Sequence, residues 1–174
     1  MNQLIYQITA YLFQYPTEEM VEALPELERE IEQIEGTTIK NTLSKFILDV
    51  KKLSFDDWVS HYIHHFDFGK TTNLYVTYLK LGEQRERGLE LLKLKMFYEA
   101  HGFEITDKEL PDYLPLMLEF CANVDEACSN ELLSMYEDVI LQIRDKLEEN
   151  GSFYYLLFDV LPLNRAKKED IAVV

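Results

Sequence analysis

The sequence predicts an all-α protein, folded as a single helical-bundle domain of about eight or nine helices. Apolar residues recur with helical spacing along nearly the whole chain, and strand-like alternation is sustained nowhere. Only six glycines and five prolines occur in 174 residues, too few turn-forming residues for a β-sandwich or barrel. We expect one domain over residues 1–162 and a C-terminal tail over 163–174.

The first two helices are separated by a proline. An apolar stripe from Leu4 to Tyr15 defines the first helix, which Pro16 stops. Thr17 is the predicted N-cap of the second helix, and two glutamates follow in the first turn, where the helix dipole favours anions. Pro25 should kink or split this second helix because its ring removes a backbone hydrogen bond.

The third and fourth helices are bounded by small and capping residues. Gly36 ends the preceding segment, Thr38 opens the third helix, and Ser54 with Asp57 resembles a capping pair for the fourth. The remaining predicted helices span Asn73–Leu81, Glu83–His101, Asp112–Asn123 and Glu131–Asn150, with a last short helix capped by Ser152. Gly102 and Gly151 are the predicted C-terminal caps.

Charge is the unusual feature of the composition. The chain carries 32 acidic and 17 basic residues, a net charge of −15, and a pI near 4.6. Residues 101–150 hold 13 acidic and 3 basic side chains, a net charge of −10. A polyanion repels phosphate backbones and anionic lipid, so we expect no nucleic-acid binding. The acidic quarter is either a solubilising surface or a docking surface for a basic partner.

The lack of a secretory signal and the spacing of the two cysteines predict a cytoplasmic protein. The N-terminus lacks the positive region and cleavage site of a secretory signal, and no apolar stretch is long enough for a membrane span. Cys121 and Cys128 are seven residues apart, and within one helix they would be too distant to form a disulfide. Both are expected to be reduced thiols.

No catalytic motif is present, and we expect no enzymatic activity, no metal and no cofactor. His61, His64 and His65 could meet at one metal ion, but partly exposed helix histidines are the favoured interpretation. Glu-x-x-His, H-E-x-x-H, G-x-S-x-G and Walker motifs are all missing.

Two segments break the helical pattern. Residues 67–78 are rich in aromatic side chains but aperiodic, and they run towards the Arg85-Glu86-Arg87-Gly88 sequence. Residues 109–120 contain Asp112 as a predicted N-cap, with Pro115 in the first turn, where its missing N–H costs nothing. This second segment is either a rigid helix start in a buried connection or a fixed acidic and aromatic corner that faces a groove.

These segments resemble the NarJ-type chaperones, the delta subunits of respiratory nitrate reductase, which are part of the wider TorD-like group. The resemblance covers most of residues 4–160 and is most specific for residues 66–120. It is carried by Tyr15-Pro16, Phe66-Asp67-Phe68, Leu74-Tyr75-Val76-Thr77-Tyr78, Arg85-Glu86-Arg87-Gly88, Tyr98, Glu109-Leu110-Pro111-Asp112-Tyr113-Leu114-Pro115 and Leu118-Glu119-Phe120.

The resemblance implies a TorD-like fold and a chaperone that is not part of the finished enzyme. Its implied partner is the immature catalytic alpha subunit of nitrate reductase, bound through its N-terminal segment in the cytoplasm. The implied role is to assist molybdenum-cofactor insertion and to delay membrane docking until assembly is complete. Molybdenum-cofactor delivery proteins are further candidate partners. A TorD-like chaperone for another molybdoenzyme or twin-arginine leader, or a generic helical adaptor, is the alternative.

We expect the client peptide to bind where the two aperiodic segments meet. Asp67, Phe68, Tyr75 and Tyr78 offer acidic and aromatic groups outside any regular stripe. From the second segment come Glu109, Asp112, Tyr113, Met117 and Glu119. Asp112 and Glu119, seven residues apart, can point to one side of a helix, with Tyr113 and Met117 as an apolar anchor beside them.

Overall fold

The computed structural model describes residues 2–67, 71–81 and 85–164, with only the backbone of Lys80, and within these ranges it contains nine α-helices. A π-helical turn, Ile63–Asp67, directly continues the fourth helix. The helices are α1 (Asn2–Leu12), α2 (Glu18–Glu32), α3 (Thr37–Lys51), α4 (Phe55–Tyr62), α5 (Tyr78–Leu81), α6 (Arg85–Ala100), α7 (Leu114–Cys121), α8 (Glu126–Glu149) and α9 (Tyr155–Asp159). The all-α prediction is confirmed. The domain boundary at residue 162 stays a prediction, and residues 165–174 of the tail lie outside the described ranges.

Hydroxyl caps start α2 and α4 as the sequence predicts. The Thr17 hydroxyl accepts a hydrogen bond from the Met20 amide at 3.2 Å, and the Ser54 hydroxyl accepts one from the Asp57 amide at 3.1 Å. Each cap satisfies one of the amide groups that the first turn of a helix leaves unpaired. The two helices therefore begin where a side-chain acceptor is available.

A cap that the sequence prediction missed makes α8 longer than expected. The Asp125 carboxylate accepts a hydrogen bond from the Cys128 amide at 2.8 Å, so α8 begins at Glu126 and not at Glu131. Asp125 is among the favoured N-cap residue types, which is the signal that could have placed this boundary. Gly102 and Gly151 have positive φ angles after α6 and α8, as predicted for C-terminal caps.

The predicted split of α2 at Pro25 and the predicted Ser152 cap of α9 were wrong, whereas a kink at Pro25 stays a prediction. Pro25 does not split α2, whose flanking Leu24 and Leu27 are buried while the proline itself is exposed. The buried stripe holds the helix together on both sides of the missing hydrogen bond. Ser152 accepts a hydrogen bond from the Tyr154 amide at 3.2 Å in the turn before α9, whose N-cap is Tyr154.

Aromatic side chains fill one end of the core, where α3, α4 and α9 meet. Phe46 packs edge-on against Tyr154 with ring centroids 5.2 Å apart. The Trp58 indole N–H donates to the Tyr154 hydroxyl at 2.8 Å, and the Tyr62 hydroxyl donates to the backbone oxygen of Phe13 at 2.8 Å. These buried polar tips are thus satisfied, as a dry core requires.

The two cysteines and His61 are part of the packing. Cys121 ends α7 and Cys128 lies in the first turn of α8, so the assumption that one helix carries both was wrong. Both are buried free thiols, and burial raises the pKa of Cys121 to about 12. His61 stacks on Phe153 with centroids 4.5 Å apart. No group of three or more metal-ligating side chains occurs in the described ranges.

Candidate functional site

Residues 71–81 form an irregular segment, here called the strap, which lies in the chain between the π-helical turn and α6 and ends in the short helix α5. The prediction of a helix from Asn73 was wrong, because only Tyr78–Leu81 is helical. The strap instead pairs with residues 109–113, here called the connector, through an isolated antiparallel bridge between Tyr75 and Tyr113. Pairing with a segment far away in sequence overrides the local helical preference.

Backbone hydrogen bonds hold the strap to the connector and to the first residue of α7, and one side-chain bond lies within the strap. The Val76 amide donates to the Asp112 carbonyl at 3.1 Å, and the Leu114 amide donates to the Leu74 carbonyl at 2.8 Å. The Asn73 side chain accepts a hydrogen bond from the Tyr75 amide at 3.0 Å, which bends the strap into its bridge. The two aperiodic segments therefore meet, as predicted.

A buried aspartate cluster, made of Thr77, Arg87 and Asp112, joins the strap, α6 and the connector. Asp112 Oδ2 accepts from the Thr77 amide at 3.2 Å, the Thr77 hydroxyl at 2.6 Å and the Arg87 Nη2 group at 3.1 Å. The Arg87 Nε group also donates to the Thr77 hydroxyl at 3.1 Å. Asp112 has no solvent exposure and the Arg87 side chain only 14%. Removal of one partner would leave the other charge poorly compensated.

The prediction that Asp112 caps a helix was wrong. The N-cap of α7 is Tyr113, without a side-chain hydrogen bond, and Pro115 lies in the first turn as expected. The Asp112 carboxylate instead accepts hydrogen bonds from Thr77 and Arg87, which offer three donors, one of them cationic. Being buried, Asp112 cannot touch a client in this conformation, and its contribution to the surface is to position the strap.

Next to the cluster, Tyr75 and Tyr113 form a half-buried aromatic pair with centroids 5.1 Å apart. The Tyr75 hydroxyl donates to Glu109 Oε1 at 2.8 Å, and the same oxygen accepts the Leu110 amide at 3.0 Å. Burial, together with this carboxylate, raises the pKa of Tyr75 above its usual value, so the phenol remains a donor at neutral pH. Glu109, Tyr75 and Tyr113 are thus brought together, as predicted.

An open groove of about 500 Å³, here called the strap groove, runs along one edge of the strap. The described residues that line it are Phe66, Asp67, Asn73, Tyr75, Tyr78, Arg87 and Leu110. Asp67 is exposed at the end of the π-helical turn, and the Arg87 guanidinium lies 5.4 Å from the Tyr78 ring centroid. The groove therefore combines aromatic faces with a carboxylate that is open to solvent.

Three of the predicted site residues lie elsewhere or outside the described ranges. Met117 is fully buried in the core, because the face of α7 that carries it packs inward, so the expected apolar anchor beside Tyr113 was wrong. Glu119 is exposed but lines a separate groove with Phe103 and Phe120, so it does not share a surface with Asp112. Phe68 lies outside the described residues.

Several residues that hold the strap, the connector, α6 and α8 together were not predicted as site residues. Thr77 and Arg87 belong to runs that the resemblance covers, but no role was assigned to either. Glu90 and Tyr136 were also missed, although the Tyr136 hydroxyl donates to Glu90 Oε1 at 2.7 Å and so joins α8 to α6. An acidic residue on an otherwise apolar stretch of α6 was the available signal for Glu90.

Comparison with known families identifies the fold and its relatives. A family model described as the nitrate reductase delta subunit matches residues 14–158. The chain belongs to this family. Family membership covers the strap, α6, the connector and the helices that carry them, so the site described above lies within the matched region.

Two curated relatives extend this result. The chain is 42% identical to the probable nitrate reductase molybdenum cofactor assembly chaperone NarJ of Bacillus subtilis, over 92% of this chain and 87% of that protein. It is 32% identical to the nitrate reductase molybdenum cofactor assembly chaperone NarJ of Escherichia coli K12, over 70% of this chain and 51% of that protein. The match thus spans about half of the second relative's length.

A solved structure has the same fold. The chain aligns with a putative redox enzyme maturation protein from Archaeoglobus fulgidus at a TM-score of 0.64 and 22% identity, over 92% of this chain and 91% of that one. This likeness supports the all-helical architecture. In the described part of the chain, no helix has the length and apolar character needed to cross a membrane.

Proposed function

We propose that this protein is a cytoplasmic, system-specific chaperone without catalytic activity. Its client is the immature alpha subunit of a respiratory nitrate reductase, which it binds at the N-terminal segment. It assists insertion of the client's molybdenum cofactor and delays membrane docking until assembly is complete. The observation that carries the proposal is family membership across most of the chain, together with relatives that are named as assembly chaperones.

The strap groove supplies the chemistry that this role needs. A client peptide with apolar and basic side chains would place its apolar groups against Phe66, Tyr75 and Tyr78. Its cations would be attracted by Asp67 at the groove and by the net charge of −15, which increases the rate of encounter. The buried aspartate cluster keeps the groove wall in place before the peptide arrives, which reduces the entropy cost of binding.

The cellular role is tested by the molybdenum content of the client. The alpha subunit is purified from cells with and without this protein, and molybdenum is measured per polypeptide by mass spectrometry. We expect a client that is depleted of molybdenum in the cells without the protein. Equal molybdenum content in the two preparations would contradict the chaperone role and favour a generic adaptor.

The binding surface is tested by two matched substitutions. Arg87 lies over the Tyr78 ring and Arg144 lies over the Tyr155 ring, but only Tyr78 lines the strap groove. Tyr78→Leu should weaken the binding of a synthetic peptide of the alpha-subunit N-terminus by about 1–2 kcal/mol of binding free energy, because an aromatic contact is lost. Tyr155→Leu should leave the affinity unchanged, as measured by calorimetric titration.

A second pair of substitutions separates the two grooves. Asp67→Asn should reduce the association rate at low salt and have a smaller effect at high salt, since an exposed charge acts through a screened field. Glu119→Gln removes the same charge from the separate groove and should have little effect. If Glu119→Gln weakens binding and Asp67→Asn does not, the client binds the separate groove.

A further inference from the structure

Another cavity is lined by strap residues that do not line the strap groove. It is bounded by the strap, α6 and α8, and its wall includes Val76, Leu81, Met135 and Val139. Val76 and Val139 are buried, whereas Met135 is 37% exposed at the rim. This cavity, here called the α6–α8 pocket, therefore combines a buried apolar wall with a partly exposed methionine side chain.

Two carboxylates accompany this apolar wall. Glu90 of α6 and Asp138 of α8 both line the pocket, together with the Tyr136 phenol. The Tyr136 hydroxyl donates to Glu90 Oε1 at 2.7 Å and fixes the carboxylate at the pocket. Burial raises the pKa of Tyr136, so the phenol is the donor in this bond at neutral pH.

The cation closest to Glu90 among the described residues is held loosely. Lys93 Nζ lies 3.9 Å from Glu90 Oε1, and the lysine side chain is 64% exposed. Such a contact contributes little and exchanges readily, since the ammonium group keeps most of its water. Glu90 is thus fixed in position but free to accept a better-placed cation.

We infer that the α6–α8 pocket binds a lysine or arginine side chain of the client segment. The methylene stem would lie along Val76, Leu81 and Met135, and the cationic head would meet Glu90 and Asp138. The two cavities share the strap as a common wall, because Tyr75 and Tyr78 line one and Val76 and Thr77 line the other. One extended peptide can therefore cross the strap and use both.

This inference rests on the proposed function and adds a recognition element to it. The strap groove selects aromatic and apolar side chains, whereas the pocket selects a long side chain that ends in a positive charge. Thr77 lines the pocket and is also bound by Asp112 and Arg87, so the buried aspartate cluster sets the shape of both cavities.

The test is a double-mutant cycle between Glu90 and the peptide cations. The probes are a synthetic peptide of the alpha-subunit N-terminus and an analogue with its lysines and arginines replaced by norleucine, which keeps a comparable apolar stem. Glu90→Gln retains an oxygen that can accept from Tyr136. This substitution should lower the affinity for the parent peptide about two- to fivefold at low salt and hardly change the affinity for the analogue. The matched control is Glu99→Gln, which removes a charge from the same helix away from the pocket.

A second readout places the peptide directly. In protein with carbon-13 methyl-labelled methionine, the Met135 signal should shift on addition of the parent peptide. Met96 is 60% exposed on the outer face of α6, and Met117 is fully buried, so both should stay unchanged. The inference is overturned if Glu90→Gln matches Glu99→Gln, or if Met135 does not shift while the peptide binds. A wild-type protein that fails to bind the peptide would overturn the proposed function and this inference with it.

Discussion

Two arginine–aspartate pairs stabilise different regions of this molecule. One pair joins two helices, and the other joins a helix to a non-helical segment. Arg144 of α8 binds Asp159 of α9 at 2.8 Å, and both ends of that pair lie in regular helices. Arg87 binds Asp112 at 3.1 Å, but Asp112 and its other partner Thr77 lie in non-helical segments. Helices satisfy their own backbone groups, whereas the strap and the connector depend on this cluster and a short bridge.

The dependence on buried polar contacts explains why the sequence is aperiodic at the site. A surface built from non-helical backbone can present side chains that a helical stripe would bury, and Tyr75 is an example. The requirement is a buried polar anchor, which Asp112 provides. Loss of the anchor should therefore disturb the strap groove and the α6–α8 pocket together, while loss of the Arg144 pair should affect stability alone.

The largest expected effect is that of Asp112→Ala. It leaves Arg87 without its carboxylate partner and the Thr77 amide without an acceptor, so we expect a loss of about 3 kcal/mol in the free energy of unfolding. Thermal and denaturant unfolding measure this change. Asp112→Asn keeps an acceptor of the same shape and should retain part of the stability. A melting temperature unchanged by Asp112→Ala would contradict the anchoring role of the cluster.

The matched change in the other region, Asp159→Ala, should lower the free energy of unfolding by less than Asp112→Ala does. Arg144 also contacts Asp145 and Glu148, so its guanidinium keeps partners after Asp159 is removed. We expect a loss of about 1 kcal/mol in the free energy of unfolding and no change in peptide affinity. The same two measurements on both variants compare the regions directly. A peptide affinity that falls in Asp159→Ala would mean that α9 supports the binding surface.

Tyr75→Phe is expected to have an intermediate structural effect within the site. It removes the hydrogen bond to Glu109 but keeps the ring against Tyr113, so the free energy of unfolding should fall by roughly 0.5–1 kcal/mol. Because Glu109 still accepts the Leu110 amide, the connector should keep its shape. The measurement is chemical denaturation, and an effect as large as that of Asp112→Ala would show that the tyrosine pair is the anchor.

The smallest expected effect is on the pH dependence of stability, through His61, which stacks on Phe153 and Tyr154 just before α9. Burial, with smaller contributions from His65 and His64, lowers the pKa of His61 to about 4. The unfolded chain, with a histidine pKa of about 6.5, binds this proton more tightly than the folded chain. Stability is therefore lost as the pH falls from about 6.5 towards 4.

His61→Gln keeps a group able to hydrogen-bond Ser152, which lies 2.8 Å from the His61 Nε2 atom. The drop in melting temperature between pH 7 and pH 5 should be a few degrees smaller in this variant than in the wild type. Equal drops in the two proteins would show that other groups, such as the carboxylates, account for the acid sensitivity.

The helices could be predicted from the sequence, and the site could be predicted only in part. Apolar periodicity and the caps at Thr17 and Ser54 are local signals, and they placed α2 and α4 correctly. The bridge between Tyr75 and Tyr113 joins residues 38 positions apart, and no local pattern encodes it. The two segments were expected to meet because both carry acidic and aromatic groups that suit one recognition surface, and this reasoning does not specify how their backbones pair.

Asp112 shows the physical reason for the main error. An aspartate before a helix is a good N-cap in isolation, worth about 1 kcal/mol. Here a cationic donor and two further donors come from Arg87 and Thr77, distant in sequence, and they outcompete the α7 amides. Met117 likewise could be assigned to the helix, but its burial depends on which face of α7 packs inward.

Amide hydrogen exchange with and without the alpha-subunit peptide tests the central claim most directly. We expect slower exchange at the Val76 and Leu114 amides, which donate the backbone hydrogen bonds on either side of the Tyr75–Tyr113 bridge, when the peptide binds. The amides of α2 and α3 should be unchanged. Protection confined to those helices, with the strap and connector unaffected by a bound peptide, would contradict the claim that this surface recognises the client.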